Sequence, residues 1–339
     1  MPAHPPVEAQ RPATHGGATS PIVTRNPPPP ATHPTLAAEL AQRPWLHTLE
    51  QRRVVAADGT GIAYQVVGEG ERVLLMANGL GGRLYAWLPL IDRYWRDYRL
   101  VTWDYRGLFD SATPPRRRML AIPNHVIDAH AILDQENAAE AVVFGWSMGV
   151  QVALELAVTH PEHVAGLVLI NGTHGHALGS ALQPLWPVPG IRPVVHRLIE
   201  LLQSRPVTLE TMTRVARFGA PLVARAIALA VARSPEQLVP LMSQYTDDVM
   251  GPSFDNYLYL FQELDAHSVY HVLPAVSAPT LLVSGLMDLL TPARQSFEMA
   301  KRIPDAEHLK LPRAGHFALL EKPDAVLEAV ERFLTERVG

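Results

Sequence analysis

Ser147 sits at the centre of Gly145-Trp146-Ser147-Met148-Gly149, a Gly-x-Ser-x-Gly pentapeptide. A serine hydroxyl attacks a carbonyl carbon only when a base removes its proton, and the base works best when a carboxylate holds its ring. Asp288 and His316 offer such a carboxylate and such a base further along the chain. The chain has 15 histidines, so presence alone says little. His316 is singled out by its place beside Gly315, downstream of Asp288 and close to the C-terminus. A second glycine-rich stretch, Asn78-Gly79-Leu80-Gly81-Gly82, would let backbone N–H groups approach a small anion. The N–H groups of Leu80 and Met148 are the candidate donors for the negative charge that develops on an attacked carbonyl oxygen.

These residues need elements that hold them. Val142 to Phe144 is short, apolar and β-branched, as a strand covered on both faces should be. Met148 to His160 reads as a helix, with Ala153 and Ala157 four apart and Pro161 ending it. The turn between them is so sharp that side chains two before and two after the serine would collide, hence Gly145 and Gly149. Arg72 to Ala77 reads as the strand before the Asn78 loop. Pro279 to Gly285 is another buried strand, with Asp288 just past its end. Glu307 to Pro312 makes a final strand, and Arg313-Ala314-Gly315-His316-Phe317 follows as its loop. The strand over 165–170 exits into Asn171-Gly172-Thr173-His174, which holds no carboxylate. Further strands fall near 51–57, 62–67 and 99–104, and helices near 84–95, 123–137 and 293–302. A closing helix places Val326, Val330, Phe333 and Leu334 on one face. Alternating strands and helices predict an α/β, doubly wound, mainly parallel sheet with its site at the C-terminal ends of the strands.

Between the two halves of that pattern, residues 173–268 read as helices. Ser234-Pro235-Glu236-Gln237 fits an N-terminal capping box, and Leu222-Val223, Ala226-Ile227 and Val231 form an apolar stripe. At the other end, the first 44 residues hold 11 prolines and few apolar residues before Leu36, so they are expected to be mostly disordered. A chain starting near Arg43 is therefore expected to keep its melting temperature. The expected organisation is a tail over 1–44, a core over 45–172 and 269–339, and a helical insertion over 173–268. Formal net charge of −4 and pI near 6.4 argue against nucleic-acid binding. Without cysteine, disulfides, thiolate metal sites and cysteine catalysis are excluded. No integral membrane segment is expected, because the longest uncharged stretch, Val164 to Ile191, is broken by glycines and prolines. The tail lacks the charged start and apolar core of a secretory signal, and a cytoplasmic protein is expected.

Taken together, the chain resembles the α/β-hydrolase superfamily over roughly residues 50–339. The matching stretches are the Asn78–Gly82 loop, Trp103-Asp104-Tyr105-Arg106-Gly107 with Ser111 and Pro114, the pentapeptide around Ser147, Gly285 to Pro292, and Gly315-His316-Phe317 with Glu321 and Pro323. Relatives usually carry His-Gly where this chain has Asn78-Gly79, which implies an oxyanion hole of slightly different shape. The resemblance implies an eight-stranded sheet, with the insertion after the sixth core strand forming a cap over the nucleophile. It also implies the order serine, acid, histidine, each on a loop after a strand, and it treats Asp104 and Arg106 as loop scaffolding. Members that open epoxides or dehalogenate use aspartate at the elbow, so Ser147 implies attack on a carbonyl. The expected activity is hydrolysis of a carboxylic ester of a mid-sized, largely apolar small molecule through an acyl-enzyme, with no cofactor and no metal. The alternatives on the same triad are a C–C bond hydrolase, a lactonase, an acyltransferase or a cofactor-free perhydrolase. A non-catalytic binding protein that kept the fold stands behind these.

Overall fold

The computed structural model describes residues 22–25, 33–180, 191–204, 211 and 235–339. Two strands that read as wholly apolar, β4 (Val73–Ala77) and β6 (Ala141–Trp146), lie side by side at the centre of one sheet with every residue buried. Around them are β1 (Ile22–Arg25), β2 (Glu50–Val55), β3 (Gly61–Val67), β5 (Arg99–Trp103), β7 (Val164–Ile170), β8 (Thr280–Gly285) and β9 (Ala306–Leu311). The order across the sheet is β1-β2-β3-β5-β4-β6-β7-β8-β9. From β5 to β9 all neighbours are parallel, and β1, β2 and β3 add on antiparallel at one edge. After β4 the chain goes to β5 on one side, then returns to β6 on the other. Where strand order reverses, the loops leaving the two strands part and open a crevice at their C-terminal ends. The Asn78 loop leaves β4 there and Ser147 leaves β6.

Helices cover both faces. α2 (Leu88–Tyr94) and α11 (Pro323–Phe333) lie on one face. α3 (Ile122–Gln135) and α4 (Met148–Thr159) lie on the other. In α11 and the turn after it, Val326, Val330, Phe333 and Leu334 are all buried, as their spacing predicts. Between β7 and β8, the described residues form α5 (Ala177–Ser180), α6 (Ile191–Gln203), α7 (Pro235–Val249) and α8 (Phe254–Ala266). Pro235 to Gln237 open α7, whereas Ser234 and the Leu222 to Val231 stripe lie outside the described residues. Two further helices flank the final strand and loop: α9 (Ala293–Arg302) before β9, and α10 (Ala318–Glu321) just after His316. Among the described residues no helix is long and apolar enough to cross a membrane.

All eight expected strands are present as β2 to β9, and Ile22-Val23-Thr24-Arg25, a β-prone run within the proline-rich segment, pairs with β2 as an additional edge strand. One sequence expectation is corrected here: the tail is not disordered through residue 44. Pro34–Ala41 forms α1, started by a proline at its first position. Its Leu36 and Leu40, four apart, are fully buried in the same cluster as Trp45, Leu90 and Ile91. Counting prolines hid a two-residue apolar stripe that is sufficient to dock one short helix. Deleting residues 1–42 should therefore lower the melting temperature by roughly 5 °C or more, since truncating even one such leucine costs about 2–5 kcal/mol. Thermal unfolding followed by circular dichroism checks this, and an unchanged melting temperature would return α1 to the dispensable tail.

Candidate active site

Ser147 is forced out of the sheet by its own backbone. It has φ 55° and ψ −114°, a conformation a non-glycine residue adopts only under constraint. The constraint is packing on either side. A Cβ at Gly145 would lie 2.6 Å from the Gly149 carbonyl oxygen, as the collision argument predicts. A Cβ at Gly149 would lie 2.0 Å from the Ala77 oxygen and 2.8 Å from that of Asn78. The second glycine thus answers to the end of β4 rather than to the elbow itself. Its absence of a side chain lets the first turn of α4 press against the Asn78 loop.

The structure brings Ser147, His316 and Asp288 together. His316 Nε2 is 3.0 Å from Ser147 Oγ, and His316 Nδ1 is 2.9 Å from Asp288 Oδ2. An ionised carboxylate only accepts, so Nδ1 carries the hydrogen and Nε2 presents its lone pair to the serine. Burial pushes the Asp288 carboxyl up, but the charge and hydrogen bond of His316, the Thr291 N–H and the Asn171 amide outweigh it and hold it below its ordinary value. Asp288 is therefore ionised at neutral pH and can stabilise an imidazolium. Its other oxygen accepts from the N–H groups of Leu290 (2.8 Å) and Thr291 (2.9 Å), which fixes the carboxylate plane.

Asn78 is buried and fully engaged. Its amide donates to the Trp103 carbonyl at 2.7 Å and its side-chain oxygen accepts from Trp87 Nε1 at 2.6 Å. Gly79 passes so close to the Trp146 ring that a Cβ would sit 2.6 Å from it. Leu80 is held from outside the core, because the Tyr245 hydroxyl on α7 donates to its carbonyl at 2.8 Å. Met148 opens α4, where first-turn N–H groups have no intrahelical acceptor. Asp104 and Arg106 stay out of the cluster: Asp104 pairs with Arg83, and Arg106 with Asp128 and Asp58.

Several neighbours given no role by the sequence complete the site. Asn171, at the end of β7 where a carboxylate was sought, donates to Asp288 Oδ2 at 2.7 Å and to the Gly315 carbonyl at 3.0 Å. Trp146 Nε1 donates to the His316 carbonyl at 3.0 Å. Glu321 was noted only as part of a resemblance. Its buried carboxylate accepts from the N–H of Gly315 (2.5 Å) and of Phe317 (3.1 Å), clamping the backbone on both sides of the histidine. Glu321→Gln leaves one acceptor for two donors. It should lower kcat roughly 10–100-fold with little change in KM, because a misplaced base loses its geometry for proton transfer. Steady-state kinetics test this, and a wild-type kcat would reduce Glu321 to a packing residue.

Residues 73–329 match the family model described as "Alpha/beta hydrolase family". The chain belongs to that family. Among relatives of this alpha/beta hydrolase, a Caulobacter vibrioides protein named "Putative carbamate hydrolase RutD" is 25% identical over 299 residues, covering 84% of this chain and 98% of the relative. The pimeloyl-[acyl-carrier protein] methyl ester esterase of Xanthomonas axonopodis pv. citri is 28% identical over 274 residues, covering 79% and 97%. A thermophilic esterase from Thermogutta terrifontis has the same fold, with a TM-score of 0.66 at 20% identity over 85% of this chain and 99% of that one. The family and the first two of these relatives support hydrolase activity.

Proposed function

We propose that this hydrolase cleaves a carboxylic ester through an acyl-enzyme on Ser147. The observation that carries the reading is the continuous run of contacts from Asp288 through His316 to Ser147, at 2.9 and 3.0 Å. In the first half-reaction Ser147 Oγ attacks the ester carbonyl as His316 Nε2 takes its proton. The N–H groups of Leu80 and Met148 receive the negative charge on the former carbonyl oxygen. The alkoxide leaves with the proton from His316. Water then enters, gives its proton to Nε2 and attacks the acyl carbon, and collapse of the second tetrahedral species releases the acid and restores Ser147.

Residues 173–268 act in this reading as a cap. Val249 at the end of α7 and Tyr257 on α8 lie where a Cβ on Gly81 would meet them, and Tyr245 reaches Leu80, so both helices overlie the loop after β4. These apolar and aromatic side chains suit a mid-sized, largely apolar acyl or alcohol group. A panel of p-nitrophenyl esters of graded chain length, run beside lactones, thioesters, carbamates and a vinylogous diketone, tests the reading. Esters should turn over fastest, and a fluorophosphonate should label one residue, Ser147. The ester rate should be unchanged by EDTA, since none of these steps uses a metal. Preference for another substrate class would replace the ester reading. Loss of activity on chelation, with the protein still folded by circular dichroism, would overturn the serine mechanism.

A further inference from the structure

The end of α4 remote from Ser147 carries a second cluster of chemistry-bearing side chains. His130 and Asp134 stand one turn apart on α3 and so share a face, with Nδ1 of the histidine 3.3 Å from Oδ2 of the aspartate. His160, Glu162 and His163 come from the turn that joins α4 to β7. The His130 ring lies 4.3 Å from that of His160 and 5.0 Å from that of His163, centroid to centroid. One ligand atom from each of His130, Asp134 and His163 falls within 4.8 Å of the other two.

The state of His163 is informative. Its Nδ1 is 2.8 Å from the Ala139 carbonyl oxygen, which can only accept, so Nδ1 bears the hydrogen. Its Nε2 lies 3.9 Å from Glu162 Oε1, so a further carboxylate stands beside the second ring nitrogen. A ring whose one nitrogen is fixed by a backbone carbonyl, leaving the other to face the ion, is how metal-binding histidines are held. A tetrahedral ion with bonds of about 2.0–2.1 Å has neighbouring donors about 3.3 Å apart, which the His130–Asp134 pair already meets. The remaining spacing closes by side-chain rotation, because Asp134 is 61% exposed and the two histidine side chains are 30% and 20% exposed.

We propose that His130, Asp134 and His163 bind one divalent transition-metal ion of the zinc class, with Glu162 or water completing its shell. Two imidazoles and a carboxylate select such ions over magnesium or calcium, which prefer oxygen alone. The twelve residues of α4 put the ion roughly 18 Å along the helix from Ser147, outside the hydrolytic chemistry. It ties the last turns of α3 to the α4–β7 connection, so its effect is on stability.

Full-length protein without a histidine tag, titrated with Co²⁺ and Zn²⁺, tests the site. One equivalent should bind. Co²⁺ should show the visible absorption of a four-coordinate nitrogen and oxygen site, and the melting temperature should rise by about 5 °C at a metal concentration 100-fold above Kd. Mg²⁺ should do none of this. His130→Asn and His163→Gln should each remove the binding and the shift while ester hydrolysis stays at the wild-type rate. The highly exposed Asp134→Asn gives a third variant if either histidine change impairs folding. Failure of the wild type to bind an equivalent, or equal binding by these variants, overturns the site whatever the outcome at Ser147.

Discussion

Ser147→Ala should lower kcat for ester hydrolysis by about 10⁶-fold, the loss typical when the nucleophile of a serine triad is removed. The fold should survive. The hydroxyl contributes one polar contact, to His316 Nε2, while the unusual backbone of residue 147 is imposed by the close passage of Gly145 and Gly149. Alanine meets the same φ of 55° at similar steric cost to serine. Circular dichroism and melting temperature should match the wild type, and fluorophosphonate labelling should vanish. Retention of more than a few per cent of the activity, with protein purified free of host esterases, would move the nucleophile elsewhere.

Asp288→Asn should cost about 10⁴-fold in kcat through the tautomer of His316. The carboxylate oxygen Oδ1 accepts two fixed backbone N–H groups, from Leu290 and Thr291. An asparagine amide keeps its oxygen on that side and turns its NH₂ toward His316 Nδ1 and the Asn171 amide. Nδ1 must then accept, the ring hydrogen moves to Nε2, and the serine faces a donor where it needs a base. Thermal unfolding should show a folded protein and steady-state kinetics the loss. A rate within tenfold of wild type would mean that another carboxylate orients the ring. Asp265, buried and paired with His196, and Asp305, on the surface with Arg337, would then need testing.

The frame of the site was legible because each part is dictated locally. A buried strand, a turn that tolerates only glycine, and a helix stopped by proline leave little freedom around Ser147. The ends of β8 and β9 place Asp288 and His316 by the same rule. The residues that finish the site were not legible. Asn171 is an ordinary polar residue at a strand end, and its value comes from a fold that brings it onto a carboxylate more than a hundred positions away, where Thr291, three residues from Asp288, also donates. Glu321 stands five residues from the histidine, yet only the turn into α10 aims its carboxylate at two backbone N–H groups. In the tail, composition pointed to disorder while two leucines decided the matter for residues 34–41. An average over a proline-rich window cannot register a stripe that short.

The bond from Tyr245 to the Leu80 carbonyl ties α7 to the loop after β4, which in the proposed mechanism lies beside the reacting carbonyl. A ligand that seats poorly and displaces α7 also disturbs the electrostatic environment of the transition state. If the proposed oxyanion role of the Leu80 N–H holds, recognition and rate are thereby coupled: a well-matched substrate leaves this bond intact, and a poorly matched one disturbs it. Selectivity among esters in such an enzyme is expressed as a difference in kcat more than in KM. Refitting α7 to a new substrate would then change turnover before it changed affinity.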